Sequence, residues 1–116
     1  HDISSGSFGN IRRVNIHYTG GLFHNGSHAL DLVHFLFGDI SVKHATVLSG
    51  QEAQDPTIDA YCTLETGIPF KLMGNIPGTY EVFDADIWGT LGRVRLRDTG
   101  SRMIVDRIKP SPIVEV

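Results

Sequence analysis

Gly20-Gly21-Leu22-Phe23-His24-Asn25-Gly26-Ser27-His28-Ala29-Leu30-Asp31-Leu32-Val33-His34-Phe35-Leu36-Phe37-Gly38 decides how this chain folds. From about Asn25 to Phe37 the apolar residues Ala29, Leu30, Leu32, Val33, Leu36 and Phe37 recur at helical spacing, and Gly38 supplies a C′ stop. Every other regular pattern in the sequence alternates with period two, so this is the one helix.

Before it, Val14, Ile16 and Tyr18 alternate with Arg13, Asn15 and His17, a half-buried strand closed by Thr19-Gly20-Gly21. After it, strands follow in series. Ile40 to Leu48 is the first. Ile58, Ala60, Cys62 and Leu64 alternate with Asp59, Tyr61, Thr63 and Glu65. Glu65-Thr66-Gly67 is a tight turn into Ile68, Phe70 and Leu72, with Pro69 marking the start or an edge of that strand. Three more run from about Tyr80 to Gly89, Arg93 to Arg97 and Met103 to Ile108. Gln51 to Pro56 is the most polar connection and the expected mobile loop. One helix and hairpin-connected strands imply an α+β fold: an open, mainly antiparallel β-sheet with helix on one face, a two-layer sandwich.

Gly89-Thr90-Leu91-Gly92 is too weak for a phosphate loop, because a strand follows it. Two hairpins fit. A Gly92 bulge puts Val94 and Leu96 on the face of Trp88, whereas a two-residue turn puts Asp86 opposite Arg95 and Asp84 opposite Arg97. Thr90-Leu91 is poor type I′ chemistry, which favours the bulge.

A length of 116 residues is one domain, and 41% apolar with 20% charged residues is globular composition. A net charge of −3 argues against a nucleic-acid or anionic-membrane surface. The single cysteine, Cys62, cannot form an internal disulfide, and a reducing, cytoplasmic setting is expected. No apolar run is long enough to span a bilayer and no signal pattern opens the chain. His1-Asp2-Ile3 lacks an initiator methionine and reads as part of a longer protein or as a trimmed tag.

His24, His28 and Asp31 are spaced i, i+4, i+7 and share one helical face. Two imidazoles there can form an acid/base or positioning site, at a helix start whose unpaired N–H groups also favour an anion. Alternatively, Ser27 or Asn25 caps the helix and the histidines are ordinary first-turn residues. His-x-x-x-His is also metal-ligand spacing. Asn25 stands where a zincin carries glutamate, however, and no cluster supplies a third ligand, so no metal is expected. His34 reads as a hydrogen-bonded packing residue. Asp31 could orient His28 or meet a backbone donor.

Together, Ser5-Gly6-Ser7-Phe8-Gly9-Asn10-Ile11-Arg12, Gly20-Gly21, Gly26-Ser27-His28-Ala29-Leu30-Asp31, Leu36-Phe37-Gly38 and Trp88-Gly89-Thr90-Leu91-Gly92-Arg93 give a chain that resembles the C-terminal domain of the Gfo/Idh/MocA oxidoreductases. The resemblance implies that residues 1–116 are a single C-terminal substrate-binding and oligomerisation domain. Its partner would be an N-terminal Rossmann domain of the same polypeptide, absent from this chain. It implies an NAD(P)-dependent dehydrogenase acting on a hydroxyl carbon of a sugar, cyclitol or nucleotide-sugar, with NAD or NADP held elsewhere and no cofactor-binding residue here. The isolated chain is then inactive. His28 matches the family's proton-transfer histidine, and His24 stands where the family has aspartate. These two are the catalytic candidates, with Tyr18, Asn25 and Asp31 for substrate binding. The alternative is a non-catalytic carbohydrate-binding or assembly domain of the same fold.

A sheet of about six strands leaves one face uncovered by the helix. The alternation places Tyr61, Met73, Phe83 and Ile87 on the set away from the core, so a homodimer or higher oligomer through that face is expected.

Overall fold

In the computed structural model, residues 8–49, 55–75, 81–97 and 101–108 are described. The Ser5-Gly6-Ser7 segment, residues 51–54 of the polar connection and the strand start at Tyr80 lie outside them.

Among these residues, seven strands and one α-helix follow in chain order: β1 (Ile11–Thr19), α1 (Ser27–Phe37), β2 (Ile40–Ser49), β3 (Thr57–Leu64), β4 (Pro69–Asn75), β5 (Phe83–Gly89), β6 (Gly92–Arg97) and β7 (Arg102–Arg107). They form one sheet ordered β2-β3-β4-β1-β5-β6-β7. Two antiparallel meanders, β2-β3-β4 and β5-β6-β7, are laid against the two edges of β1. β1 runs parallel to β4 and antiparallel to β5. This is the α+β open sheet expected, with one parallel pair at its centre. Pro69 opens β4, so it costs the ladder no interior donor.

The core follows from the register. Val14, Ile16 and Tyr18 have no exposed surface. Val14 sits between Phe70 and Ile87, and Ile16 between Leu72 and Ala85, so even positions of β1 meet even positions of β4 and odd positions of β5 on one face. Ala29 and Val33 of α1 are buried on that face, with Leu22, Leu30, Leu36 and Phe37 packed around them. An eleven-residue helix is marginal alone in water, so this packing holds it. It ends where Gly38, at φ 88°, donates its N–H to His34 O at 2.9 Å.

The face assignment of β5 is corrected. Phe83, Ala85 and Ile87 point into the core, and Ile87 is buried opposite Val14. Asp84, Asp86 and Trp88 point out. Trp88 is 40% exposed with the Arg93 guanidinium 3.7 Å from its ring, so an aromatic on the outer face is held by a cation and not by the core. Tyr61 and Met73 do lie on the open face, opposite Lys71 and His17. That face also carries Ile104, opposite Arg95, and the Asp86–Arg93, Asp84–Arg97 and Arg95–Asp106 ion pairs.

The hairpin is also corrected. Trp88 pairs with Arg93 and Asp86 with Arg95, which is the two-residue turn, and Gly92 is not left-handed. The turn draws its support from outside itself. Thr90 N–H donates to Asn10 O and Leu91 N–H to Phe8 O, both at 2.9 Å, and Thr90 Oγ1 accepts from Asn10 N–H at 3.0 Å. These tertiary bonds override poor local turn propensity. Asp86 is bound by its diagonal neighbour Arg93 rather than by Arg95, which reaches Asp106 instead.

Among the described residues no helix is long and apolar enough to cross a membrane.

Candidate substrate cleft

At the end of β1 the chain swings from sheet to helix through Gly20 and Gly21. The expected helix start at Asn25 is a π-helical turn, Leu22–Gly26, that runs into α1. Neither Ser27 nor Asn25 caps it. Ser27 Oγ donates back to the Phe23 and His24 carbonyls (3.1 and 2.7 Å), and Asn25 Nδ2 donates to Thr19 O at 2.7 Å. Gly26 sits close against its neighbours, since a Cβ there would stand 3.1 Å from Leu22 Cδ1 and 3.4 Å from the Tyr18 ring. That close approach seats the first turn of α1 on β1 and thereby fixes where His28 projects.

Two of the donors expected to attract an anion at this helix start are already used. Leu22 N–H donates to Pro56 O at 2.8 Å and Phe23 N–H to Asp55 Oδ1 at 2.6 Å. The chain's own carboxylate occupies the place a ligand anion would take.

Thr19 pins the other wall. Its N–H donates to Val82 O at 2.9 Å, and its Oγ1 accepts from Val82 N–H at 2.7 Å. Between this wall and α1 lies a cleft of about 350 Å³ lined by Asn25, His28, Glu81, Val82 and Phe83. The His24 ring meets His28 edge-on, centroids 5.9 Å apart. Both imidazoles are exposed, so protons can exchange with solvent.

The site residues expected from the sequence therefore separate. His28 and Asn25 line the cleft, and His24 touches His28 without lining it. Asp31 is exposed and makes neither suggested contact among the described residues. Tyr18 is placed in the core. Its hydroxyl donates to Ile58 O (3.1 Å) and accepts from Ile58 N–H (2.9 Å), which uses its only proton. Burial, the largest cause, raises its pKa above the ordinary value, and nearby Asp59 and Asp55 push the same way. Burial likewise raises the Cys62 thiol. His34, read as a packing residue, is exposed and lies 3.6 Å from Asp39.

Sequence reading missed Glu81, Thr19 and Asp55. Glu81 stands just before a core strand, where a lone carboxylate carries no pattern. Asp55-Pro56 before β3 did hold a usable signal, since aspartate favours bonds to nearby main chain at such junctions.

Chemically, an exposed imidazole beside an amide can take or give a hydroxyl proton near neutral pH. Among the described residues no group of three His, Cys, Asp or Glu could hold a metal ion. The cleft does not fit a dinucleotide. A pyrophosphate wants free backbone donors or a cation, and among the described residues Leu22 and Phe23 N–H are already bound and Glu81 lines the cleft with no lysine or arginine beside it.

No protein-family model and no curated protein matches the sequence. Solved structures do match it. The WlbA dehydrogenase from Bordetella pertussis, in complex with NADH and UDP-GlcNAcA, aligns with a TM-score of 0.79 and 18% identity, over 96% of this chain and 42% of its own. WlbA from Chromobacterium violaceum, with the same two ligands, aligns at 0.78 and 14% identity, over 97% and 40%. The 3-ketoreductase KijD10 from Actinomadura kijaniata, with TDP-benzene and NADP, aligns at 0.73 and 16% identity, over 91% and 39%. The chain thus spans about two fifths of the length of these structures, and the likeness is one of fold.

Proposed function

We propose that this chain is the substrate-binding domain of an NAD(P)-dependent oxidoreductase acting on a hydroxyl-bearing carbon of a sugar, cyclitol or nucleotide-linked sugar. The observation that carries the reading is the cleft at the end of β1, where His28 and Asn25 face the apolar Val82 and Phe83. The shared fold with dehydrogenases bound to NADH and UDP-GlcNAcA supports it.

In this reading the chain supplies binding and a proton path. His28 exchanges the proton of the substrate hydroxyl as its carbon is oxidised or reduced, and Asn25 holds a neighbouring hydroxyl. His24, edge-on to His28, passes the proton toward solvent. Tyr18 and Asp31 have no substrate contact in this scheme. The nicotinamide belongs to an N-terminal Rossmann domain of the same polypeptide. The open face of the sheet, with Tyr61, Met73 and Trp88 among its ion pairs, is the surface for a homodimer.

The test is nicotinamide-linked turnover by the full polypeptide against a panel of sugars, cyclitols and nucleotide-sugars. Activity that depends on His28 is the expected result. A full-length protein that binds a sugar at this cleft but never changes the redox state of NAD or NADP would favour a non-catalytic binding domain instead.

A further inference from the structure

Among its described lining residues the cleft at the end of β1 offers a ligand the acceptors of Asn25 and Glu81, the His28 imidazole as donor or acceptor, and no lysine or arginine. Asn25 turns its Nδ2 to the Thr19 carbonyl, so Oδ1 is the open side of the amide. Glu81 adds a carboxylate, which only accepts. Val82 spends its N–H on Thr19 Oγ1 and its carbonyl accepts from Thr19 N–H, so the Val82 main chain has no donor left for a ligand. Among the described residues neither lysine nor arginine lines the cleft, and at the helix start Phe23 N–H is bound to Asp55 and Leu22 N–H to Pro56. Val82 and Phe83 supply apolar surface of the kind that receives the C–H face of a sugar ring.

We infer that this cleft selects a ring rich in hydroxyl or ammonium donors, a neutral sugar, cyclitol or amino sugar, and disfavours a ring bearing carboxylate or phosphate at this position, with Glu81 as the specificity-determining residue. The inference rests on the reading of the cleft as a sugar site. Its physical basis is donor–acceptor matching plus like-charge repulsion, which acts as selection against the wrong ligand. Because Glu81 is exposed, the discrimination is modest and screened by salt.

The experiment titrates the isotope-labelled 116-residue chain with glucosamine, myo-inositol, glucuronate and glucose 6-phosphate, following the amide signals of His28 and Phe83. Glucosamine is expected to bind tightest and myo-inositol next. The two anions should be weaker than glucosamine by about threefold or more at low salt, with the gap closing at high salt. Glu81→Gln should level the order and Glu81→Lys reverse it. The inference is overturned if the anions bind as well as glucosamine, if Glu81→Lys leaves the order unchanged, or if no probe moves those signals. The charge order in a polypeptide without turnover leaves this inference standing and removes the oxidoreductase reading. An active enzyme lacking that order does the reverse.

Discussion

The Tyr18 hydroxyl and the main chain of Ile58 satisfy each other twice, the hydroxyl donating to the carbonyl at 3.1 Å and accepting from the N–H at 2.9 Å. β1 and β3 are not neighbours in the sheet, since β4 lies between them. The side chain therefore ties two strands across a third, at the point where α1 begins.

Tyr18→Phe should cost about 1–3 kcal/mol at neutral pH, because the Ile58 N–H and carbonyl both lose their partner. It should also flatten the alkaline limb of stability. The folded pKa of Tyr18 lies above the ordinary 10.0 and that of Cys62 above the ordinary 9.0. Above those ordinary values the unfolded chain releases protons that the folded chain retains. Stability is thus complete below about pH 9 and is lost as pH rises toward the folded values. Urea denaturation of wild type, Tyr18→Phe and Cys62→Ala across that range checks this. A wild-type stability that rises with pH there contradicts the assignment.

The outer-face pair Asp86–Arg93 should matter more than Arg95–Asp106. Arg93 binds Asp86 through two atoms at 2.8 and 2.6 Å, with the side chains 26% and 17% exposed, and it lies over Trp88. Asp106 is 60% exposed. Arg93→Lys loses both the fork and the planar stack and should cost about 1 kcal/mol, whereas Asp106→Asn should cost little. The hydrogen bonds that Arg93 donates to Asp86 hold the Arg93 pKa above its already high ordinary value, so this contribution should not vary across neutral pH. Equal losses from both substitutions in denaturant titrations would show that the fork geometry adds nothing.

Ile87→Glu should unfold the protein rather than dissociate it, because Ile87 is 3% exposed against Val14 and a carboxylate there has no partner. A loss of about 4 kcal/mol or more is expected. Tyr61→Glu and Met73→Glu lie on the open face and should leave the melting temperature nearly unchanged while shifting a dimer toward monomer in light scattering. A monomeric wild type at micromolar concentration would remove the dimer from the proposal.

The β5 phase shows what was legible and what was not. The helix, the strand series and the fold class follow from periodicity, because α1 and β1 each have one wet face. β5 has Asp84 and Asp86 alternating against Phe83, Ala85 and Ile87, which is a clear signal, but Trp88 sits on the polar set and inverts the phase for a reader who weights bulk. The Thr90-Leu91 turn was unreadable for another reason, since its partners are Phe8 and Asn10, some 80 positions away. At the site, the histidine spacing was local and visible. Glu81 and Val82 reach the cleft only through a long-range pairing with Thr19.

His28 and His24 should differ in consequence although their rings touch. His28 lines the cleft and His24 does not, so in the full polypeptide His28→Ala should lower kcat by about 10²–10⁴-fold, the range of general acid–base assistance. His24→Ala should cost less, because solvent can replace a relay that ends at the surface. Both side chains are exposed, so neither change should move the melting temperature by more than a few degrees. His28→Gln retains hydrogen bonding without a titrating proton. If it restores KM but not kcat, the role is proton transfer. If it restores both, His28 only positions the substrate. A His28→Ala enzyme with full kcat and a collapsed melting temperature would mean that the imidazole serves the fold and that the chemistry lies elsewhere.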